Sequence, residues 1–224
     1  MVGIDEAGRG PVIGDMVLAG IAIDERAIDI LSRAGVRDSK KLEPSQRERL
    51  LGLILSECIA VSILRVPPSV IDSENLNKVF ARGCARILRN LYTVLSKEVK
   101  SCNAIEVYID ACGNPKKLEA LIRSYLGTSI ASRMQLHLEH GADAKYVPVA
   151  AASIVAKVVR DKHIESLKRV YGDFGSGYPS DPRTIEWLRR TILQGCIPPI
   201  VRRSWETVKR ILRERSTLLK YAKR

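Results

Sequence analysis

Asp5 and Glu6 stand side by side between a short apolar run, Met1 to Ile4, and a turn of small residues, Ala7-Gly8-Arg9-Gly10-Pro11. Adjacent carboxylates repel each other and lose hydration where a strand meets a core, so a chain that keeps both usually has a cation for them to share. Gly8 and Gly10 flank an arginine, a pattern that lets backbone N–H groups approach a ligand closely while a guanidinium stands beside them. Two further acids complete a candidate set: Asp110 closes the alternating stretch from Ile105, and Asp143 lies in a polar loop after Met134 to Leu138. A cluster of oxygen ligands suits Mg²⁺ or Mn²⁺ rather than zinc. Two such ions about 3.5–4 Å apart can activate a water and stabilise the leaving 3′ oxygen of a phosphodiester. Spacing by itself leaves Asp110 and Asp143 equally readable as ordinary turn or cap residues.

The apolar pattern shows which elements must position these side chains. Met1 to Ile4 reads as a short buried strand. Met16 to Ile23, continuously apolar, reads as a central strand that pairs antiparallel with it across the Gly-rich turn. A short helix around Ala27 to Arg33 leads to the polar loop Arg37-Asp38-Ser39-Lys40-Lys41, and Pro44 and Ser45 open a helix with Leu50, Leu51, Leu53 and Ile54 in its stripe. Cys58 to Val66 is a strand ended by Pro67-Pro68. From Asn75 to about Lys97 apolar residues return every three or four positions, as in a long amphipathic helix. Ile105, Val107 and Ile109 alternate with Glu106, Tyr108 and Asp110, so that strand delivers a carboxylate just before the turn Cys112-Gly113-Asn114-Pro115. After the loop of Asp143, a helix with Ala151, Ile154, Val155 and Val158 facing inward runs toward Val170. A Gly-rich connector, Gly172 to Pro179, precedes a helix from about Asp181 to Leu193. Pro198-Pro199 sets off a last section with nine basic residues against Glu206 and Glu214. The pattern is α/β: a mixed central sheet flanked by helices in residues 1–197, with a basic helical extension at 198–224.

Composition narrows the partners. The 224 residues are 46% apolar, enough for one substantial core, and carry a formal charge of +12. So many cations repel one another unless a polyanion compensates, which makes nucleic acid the first candidate partner and an anionic membrane surface the second. The five cysteines (Cys58, Cys84, Cys102, Cys112 and Cys196) are scattered and form no C-x-x-C pair. They read as reduced thiols of an intracellular protein, and they speak against a zinc site. No apolar run approaches the ~20 residues of a bilayer span, so a cytoplasmic protein without a membrane partner is expected.

Six stretches then fall in one order along the chain: Asp5-Glu6-Ala7-Gly8-Arg9-Gly10-Pro11, Asp38-Ser39-Lys40-Lys41-Leu42, Tyr108-Ile109-Asp110, Ala142-Asp143-Ala144-Lys145-Tyr146, Ala151-Ala152-Ser153-Ile154-Val155-Ala156-Lys157 and Gly177-Tyr178-Pro179. Together, from Met1 to about Trp205, they resemble ribonuclease HII, the type 2 ribonuclease H, in its compact archaeal-like form. The resemblance implies a ribonuclease H-like fold and endonucleolytic cleavage of RNA in RNA–DNA hybrids. It extends to cuts 5′ of ribonucleotides embedded in duplex DNA, leaving 3′-hydroxyl and 5′-phosphate ends. It further implies that Asp5, Glu6, Asp110 and Asp143 are the catalytic carboxylates and hold two Mg²⁺ or Mn²⁺ ions. Gly8, Arg9 and Gly10 match the motif that reads the 2′-hydroxyl and clasps the adjacent phosphate; that hydroxyl, donor and acceptor together, is what separates RNA from DNA. Tyr178 matches the tyrosine that stacks on the sugar at the RNA-to-DNA junction, where an aromatic ring favours a deoxyribose. Lys40 is expected to neutralise a phosphate near the site. Lys157 is expected near the substrate backbone, with an i to i+4 bridge to Asp161 as its plain structural alternative. His140 reads as a surface histidine.

The chain departs from the family at Val147-Pro148-Val149-Ala150, where relatives more often place proline directly after the tyrosine and a serine ahead of Ala-Ala-Ser. The distance from Asp143 to Ser153 is unchanged. A monomer acting on hybrids and ribonucleotide-containing duplexes is expected. Some relatives have a sliding-clamp partner, but Ser216-Thr217-Leu218-Leu219-Lys220-Tyr221 is no convincing clamp-binding motif. Two other classes compete: a junction resolvase or transposase-like nuclease on the same fold, which would cut all-DNA substrates, and a basic binding protein that would retain hybrids with or without metal. Four clustered carboxylates argue against the latter, because such charge is expensive without a cation.

Overall fold

Alternation of small and branched apolar residues builds a five-stranded sheet whose order is β3-β2-β1-β4-β5. The computed structural model describes residues 1–36, 43–98 and 104–221; Lys40, for which a phosphate contact is expected, lies outside them. The elements are β1 (Val2–Ala7), β2 (Met16–Ala22), α1 (Glu25–Arg33), α2 (Pro44–Glu57), β3 (Ala60–Val66), α3 (Pro68–Ile71), α4 (Leu76–Glu98) and β4 (Ile105–Asp110), followed by α5 (Pro115–Leu126), α6 (Thr128–Ala131), β5 (Met134–Glu139), α7 (Ala142–Lys145), α8 (Val147–Tyr171), α9 (Pro182–Leu193) and α10 (Glu206–Tyr221). They fall into two compact units, one of Met1–Ala7, Val17–Arg65 and Asn75–Val159, the other of Gly8–Met16, Val66–Glu74 and Arg160–Arg224.

The first, the sheet unit, is mixed as the early hairpin requires: β1 runs antiparallel to β2 and parallel to β4, and β4 runs parallel to β5. Val17, Ala19 and Ile21 of β2 alternate onto one face and pack with Ala151, Ile154 and Val155 of α8. On the other face a Cβ at Gly20 would run into Ile87 and Leu91 of α4, so glycine there lets that helix lie directly on the sheet. Gly3 does the same for α8, because a Cβ would collide with the Pro148 backbone. The first strand is longer than the sequence suggests. Instead of ending at Ile4 it continues through Ala7, with Asp5 opposite Ala19 and Glu6 opposite Leu18, because the ladder bonds to β2 are made by main chain whatever the side chains carry. Asn114-Pro115, expected as a turn, also starts α5: the Asn114 side chain accepts the Lys117 N–H, and Leu118, Ile122 and Leu126 are buried on one helix face.

The second, the helical unit, has its own core around Phe174, Trp187 and Leu188. Phe174 and Trp187 meet edge to face at 5.7 Å, and the indole N–H donates to the Tyr171 carbonyl. The segment from 198 onward, set apart as an extension in the sequence, contributes Ile200, Val201, Val208 and Ile211 to this core, and Val201 bridges to Ile13. Among the described residues no helix is long and apolar enough to cross a membrane.

Candidate active site

Parallel pairing of β1 with β4 places Ile4 opposite Ile109, so Asp5 and Asp110 stand one step beyond in the same register. Residues level with each other on paired strands share a face, which aims both carboxylates the same way. Asp110 Oδ1 accepts the N–H groups of Gly141 and Ala142 at 2.7 and 3.1 Å, tying the end of β4 to the start of α7. Gly141, in the left-handed conformation, makes the turn into that single helical turn, and Asp143 sits in it, buried. The result is a group in which one oxygen each from Asp5, Asp110 and Asp143 lies within 4.8 Å of the others.

Asp5 is buried, at 4% exposure. Burial is the main reason that its carboxyl is lifted to about 7, and the charge of Asp110 adds to it. Against these act the Ser153 hydroxyl, the Glu6 N–H at 2.7 Å and the charge of Lys157. Ser153 and Lys157 are one turn apart on α8, and Lys157 Nζ donates to Ser153 Oγ at 2.7 Å. A relay thus runs from a lysine through a serine to the carboxylate whose ionisation burial opposes. Three oxygens crowded in low dielectric are the donor set a hard divalent cation requires, so the residues fit Mg²⁺ or Mn²⁺.

Gly8, Arg9, Gly10 and Tyr178, also named from sequence, belong to the helical unit. Gly8 has φ +81°, and a Cβ there would meet Arg160 at 2.9 Å and the Asp15 carbonyl at 3.0 Å, so any side chain at this position would be strained. Gly10 faces the Tyr178 ring, 3.6 Å from where its Cβ would be. The Arg160 guanidinium lies 5.4 Å from the centre of the same ring. The Gly177 carbonyl accepts from Val12 N–H at 2.8 Å and Ile13 N–H at 3.3 Å, which fastens the tyrosine's loop to the glycine loop. Arg9, the middle residue, is half-buried.

The family model for ribonuclease HII matches residues 2–208. This chain belongs to the ribonuclease HII family. It is 44% identical to ribonuclease HII of Sulfolobus acidocaldarius over 215 residues, 94% of this chain and 93% of that one. The crystal structure of ribonuclease H2 from Pyrococcus horikoshii superposes with a TM-score of 0.83 at 42% identity, covering 96% and 98% of the two chains. The ribonuclease HII of Archaeoglobus fulgidus, solved as a complex with PCNA, superposes with a TM-score of 0.79 at 39% identity, covering 94% and 95%. As a ribonuclease HII the chain is an endoribonuclease that acts on RNA–DNA hybrids, and its fold is the ribonuclease H-like one expected.

Within that family frame, Glu6 is half-buried and is not one of the three carboxylates that converge within 4.8 Å. His140 is exposed, as expected of a surface histidine. The departure at Val147-Pro148 leaves the start of α8 at Val147 and Asp143 still in its group. Asp161 meets Arg160 at 3.4 Å. Ser153 is a site residue that sequence reasoning used only as part of a motif; its position four residues before Lys157 was the available signal.

Proposed function

We propose that this ribonuclease HII incises duplex DNA on the 5′ side of embedded ribonucleotides as well as the RNA strand of hybrids, leaving 3′-hydroxyl and 5′-phosphate ends. The convergence of Asp5, Asp110 and Asp143 within 4.8 Å is the observation that carries this reading. These three residues, with Glu6 beside them in sequence, would hold two Mg²⁺ or Mn²⁺ ions. Such ions, when bound, supply an activated water and neutralise charge on the leaving oxygen. The chain's own residues supply the rest. Asp110 keeps Asp143 in place through α7, and Ser153 and Lys157 favour the ionised form of Asp5 that a cation needs. The main chain of Gly8, Arg9 and Gly10 contacts the 2′-hydroxyl and neighbouring phosphate, and Tyr178 packs on the following deoxyribose. Lys209 and Arg210, exposed on α10, grip the duplex backbone.

The protein acts as a monomer on nucleic acid. A clamp complex like the one solved for the Archaeoglobus fulgidus relative is a second association, supported by the likeness of the two chains. A duplex carrying one ribonucleotide, offered with and without Mg²⁺ or Mn²⁺, tests the main reading. A single cut 5′ of the ribonucleotide, only with metal, is expected; cleavage of an all-DNA control, or none of the ribonucleotide duplex, defeats it.

A further inference from the structure

Among the described residues Arg202 is the largest side chain without solvent exposure, and among its hydrogen bonds are three that end on backbone carbonyls. Its Nη2 donates to Gly8 O at 2.6 Å, its Nη1 to Arg9 O at 2.9 Å and its Nε to Gly14 O at 2.9 Å. Three residues on, Trp205 Nε1 donates to Gly10 O at 3.1 Å, and the Arg202 guanidinium lies 5.0 Å from the centre of the indole ring. The carbonyls of Gly8, Arg9 and Gly10 are therefore all bound by a four-residue stretch near the other end of the sequence. That stretch is braced in turn. Asp72 accepts from the backbone N–H of Arg203 at 2.7 Å and of Ser204 at 3.0 Å, and it also bonds the Ser204 hydroxyl.

The geometry of the peptide unit gives this arrangement its meaning. Among the described residues there is no cis peptide bond, and in a trans peptide the C=O and the N–H point in opposite directions. Holding the carbonyls of Gly8 and Arg9 on Arg202 turns the N–H groups of Arg9 and Gly10 the other way, as two successive donors. The next peptide, closed by Pro11, has no N–H to offer. A guanidinium suits the task because its planar fork presents several donors in fixed directions, which an ammonium cannot do. Burial pulls its pKa down to about 10, so it stays charged at neutral pH.

We infer that Arg202, assisted by Trp205 and braced by Asp72, is a positioning residue that fixes the Gly8–Gly10 main chain in its reading conformation and so sets the preference for ribose over deoxyribose. This rests on the reading of that loop as the 2′-hydroxyl contact.

The full chain, its R202K and W205F variants and D72N provide the test. Affinities for a duplex with one ribonucleotide and for the same all-DNA duplex are measured together with kcat and KM on the former. Amide exchange is followed in residues 8–14 and, as an internal control, 150–157. R202K is expected to weaken the ribonucleotide duplex about 30-fold more than the all-DNA duplex, and W205F, which keeps the ring and loses one neutral bond, about fivefold more. KM rises more than kcat falls, and exchange in residues 8–14 quickens while that in 150–157 does not. D72N gives the same pattern at smaller size. Equal weakening on both duplexes in W205F and R202K, or unchanged exchange in residues 8–14, overturns the inference. A wild-type protein that does not distinguish the two duplexes would instead refute the proposed function, and exchange in residues 8–14 would still decide whether Arg202 holds the loop.

Discussion

The carboxylate group of the sheet unit and the glycine loop of the helical unit solve the same problem with different parts of the chain. In the first, the working atoms are side chains, and two parallel strands with a one-turn helix deliver them; the ladder that builds the sheet also aims the oxygens. In the second, the atoms we propose to read the substrate are main chain, and no regular element holds them. Their conformation depends on Arg202, 188 to 194 positions away from its three acceptors. A site made of side chains can be specified locally. A site made of peptide groups must be held by partners that bind the other end of each peptide.

Neutralising one ligand should separate the two regions most sharply. D5N or D110N is expected to lower metal-dependent cleavage by about 10³-fold or more while hybrid binding persists, because removing negative charge does not weaken a basic protein's hold on a polyanion. Cleavage and filter-binding assays on one preparation would show it; retained turnover in both variants breaks the assignment. The next largest effect belongs to the loop. G8A forces a Cβ against Arg160 and the Asp15 carbonyl at φ +81°, and should cost about 1–3 kcal/mol in stability together with most ribonucleotide-specific incision. G10A, meeting only the Tyr178 ring at ordinary van der Waals distance, should be far milder, and equal effects in thermal melts and incision assays would contradict this account.

A smaller effect concerns protons. Because the folded pKa of Asp5, about 7, exceeds its ordinary value of 3.8, the folded metal-free protein holds a proton that the unfolded chain releases between those values. The contribution of Asp5 to metal-free stability should therefore be greatest below about pH 4 and fall as the pH rises through 7, and D5N should remove that component of the pH dependence in denaturant titrations. S153A removes a bond that favours the ionised carboxylate, so the acid limb of the cleavage profile should move to higher pH, with activity at pH 6 lower by about tenfold. The smallest effect is expected from K209Q/R210Q on α10, which should reduce the salt dependence of hybrid affinity by about two units of slope at most and leave the cleaved bond unchanged.

Much of this was legible in the residues. Asp5, Asp110 and Asp143 could be named because each follows or ends an apolar alternation, and the strand order that gathers them matches a βαβ-type layering. The extent of β1 was not legible, since a charged pair looks like a strand end when the partner strand is unknown. Asn114-Pro115 was ambiguous because the same dipeptide opens turns and helices. Arg202 lay within a basic tail as one of its nine cations; the three carbonyls around it distinguish a structural cation from a solvated one. Tyr178 was nameable by its motif, whereas the Arg160 guanidinium beside its ring carries no local signature.

The Asp110 carboxylate does two jobs: it belongs to the three-carboxylate group, and its Oδ1 is the acceptor that starts α7. Genetic interaction between neighbouring acids follows from that. Replacing Asp110 by alanine deletes a ligand and also releases the turn bearing Asp143, so adding D143A to D110A should cost little more than D110A alone. An asparagine at 110 keeps the acceptor, and in that background the loss of Asp143 should again be felt in full. The order in which such acids can be lost or regained in this lineage of enzymes is thus constrained by a cap as much as by catalysis.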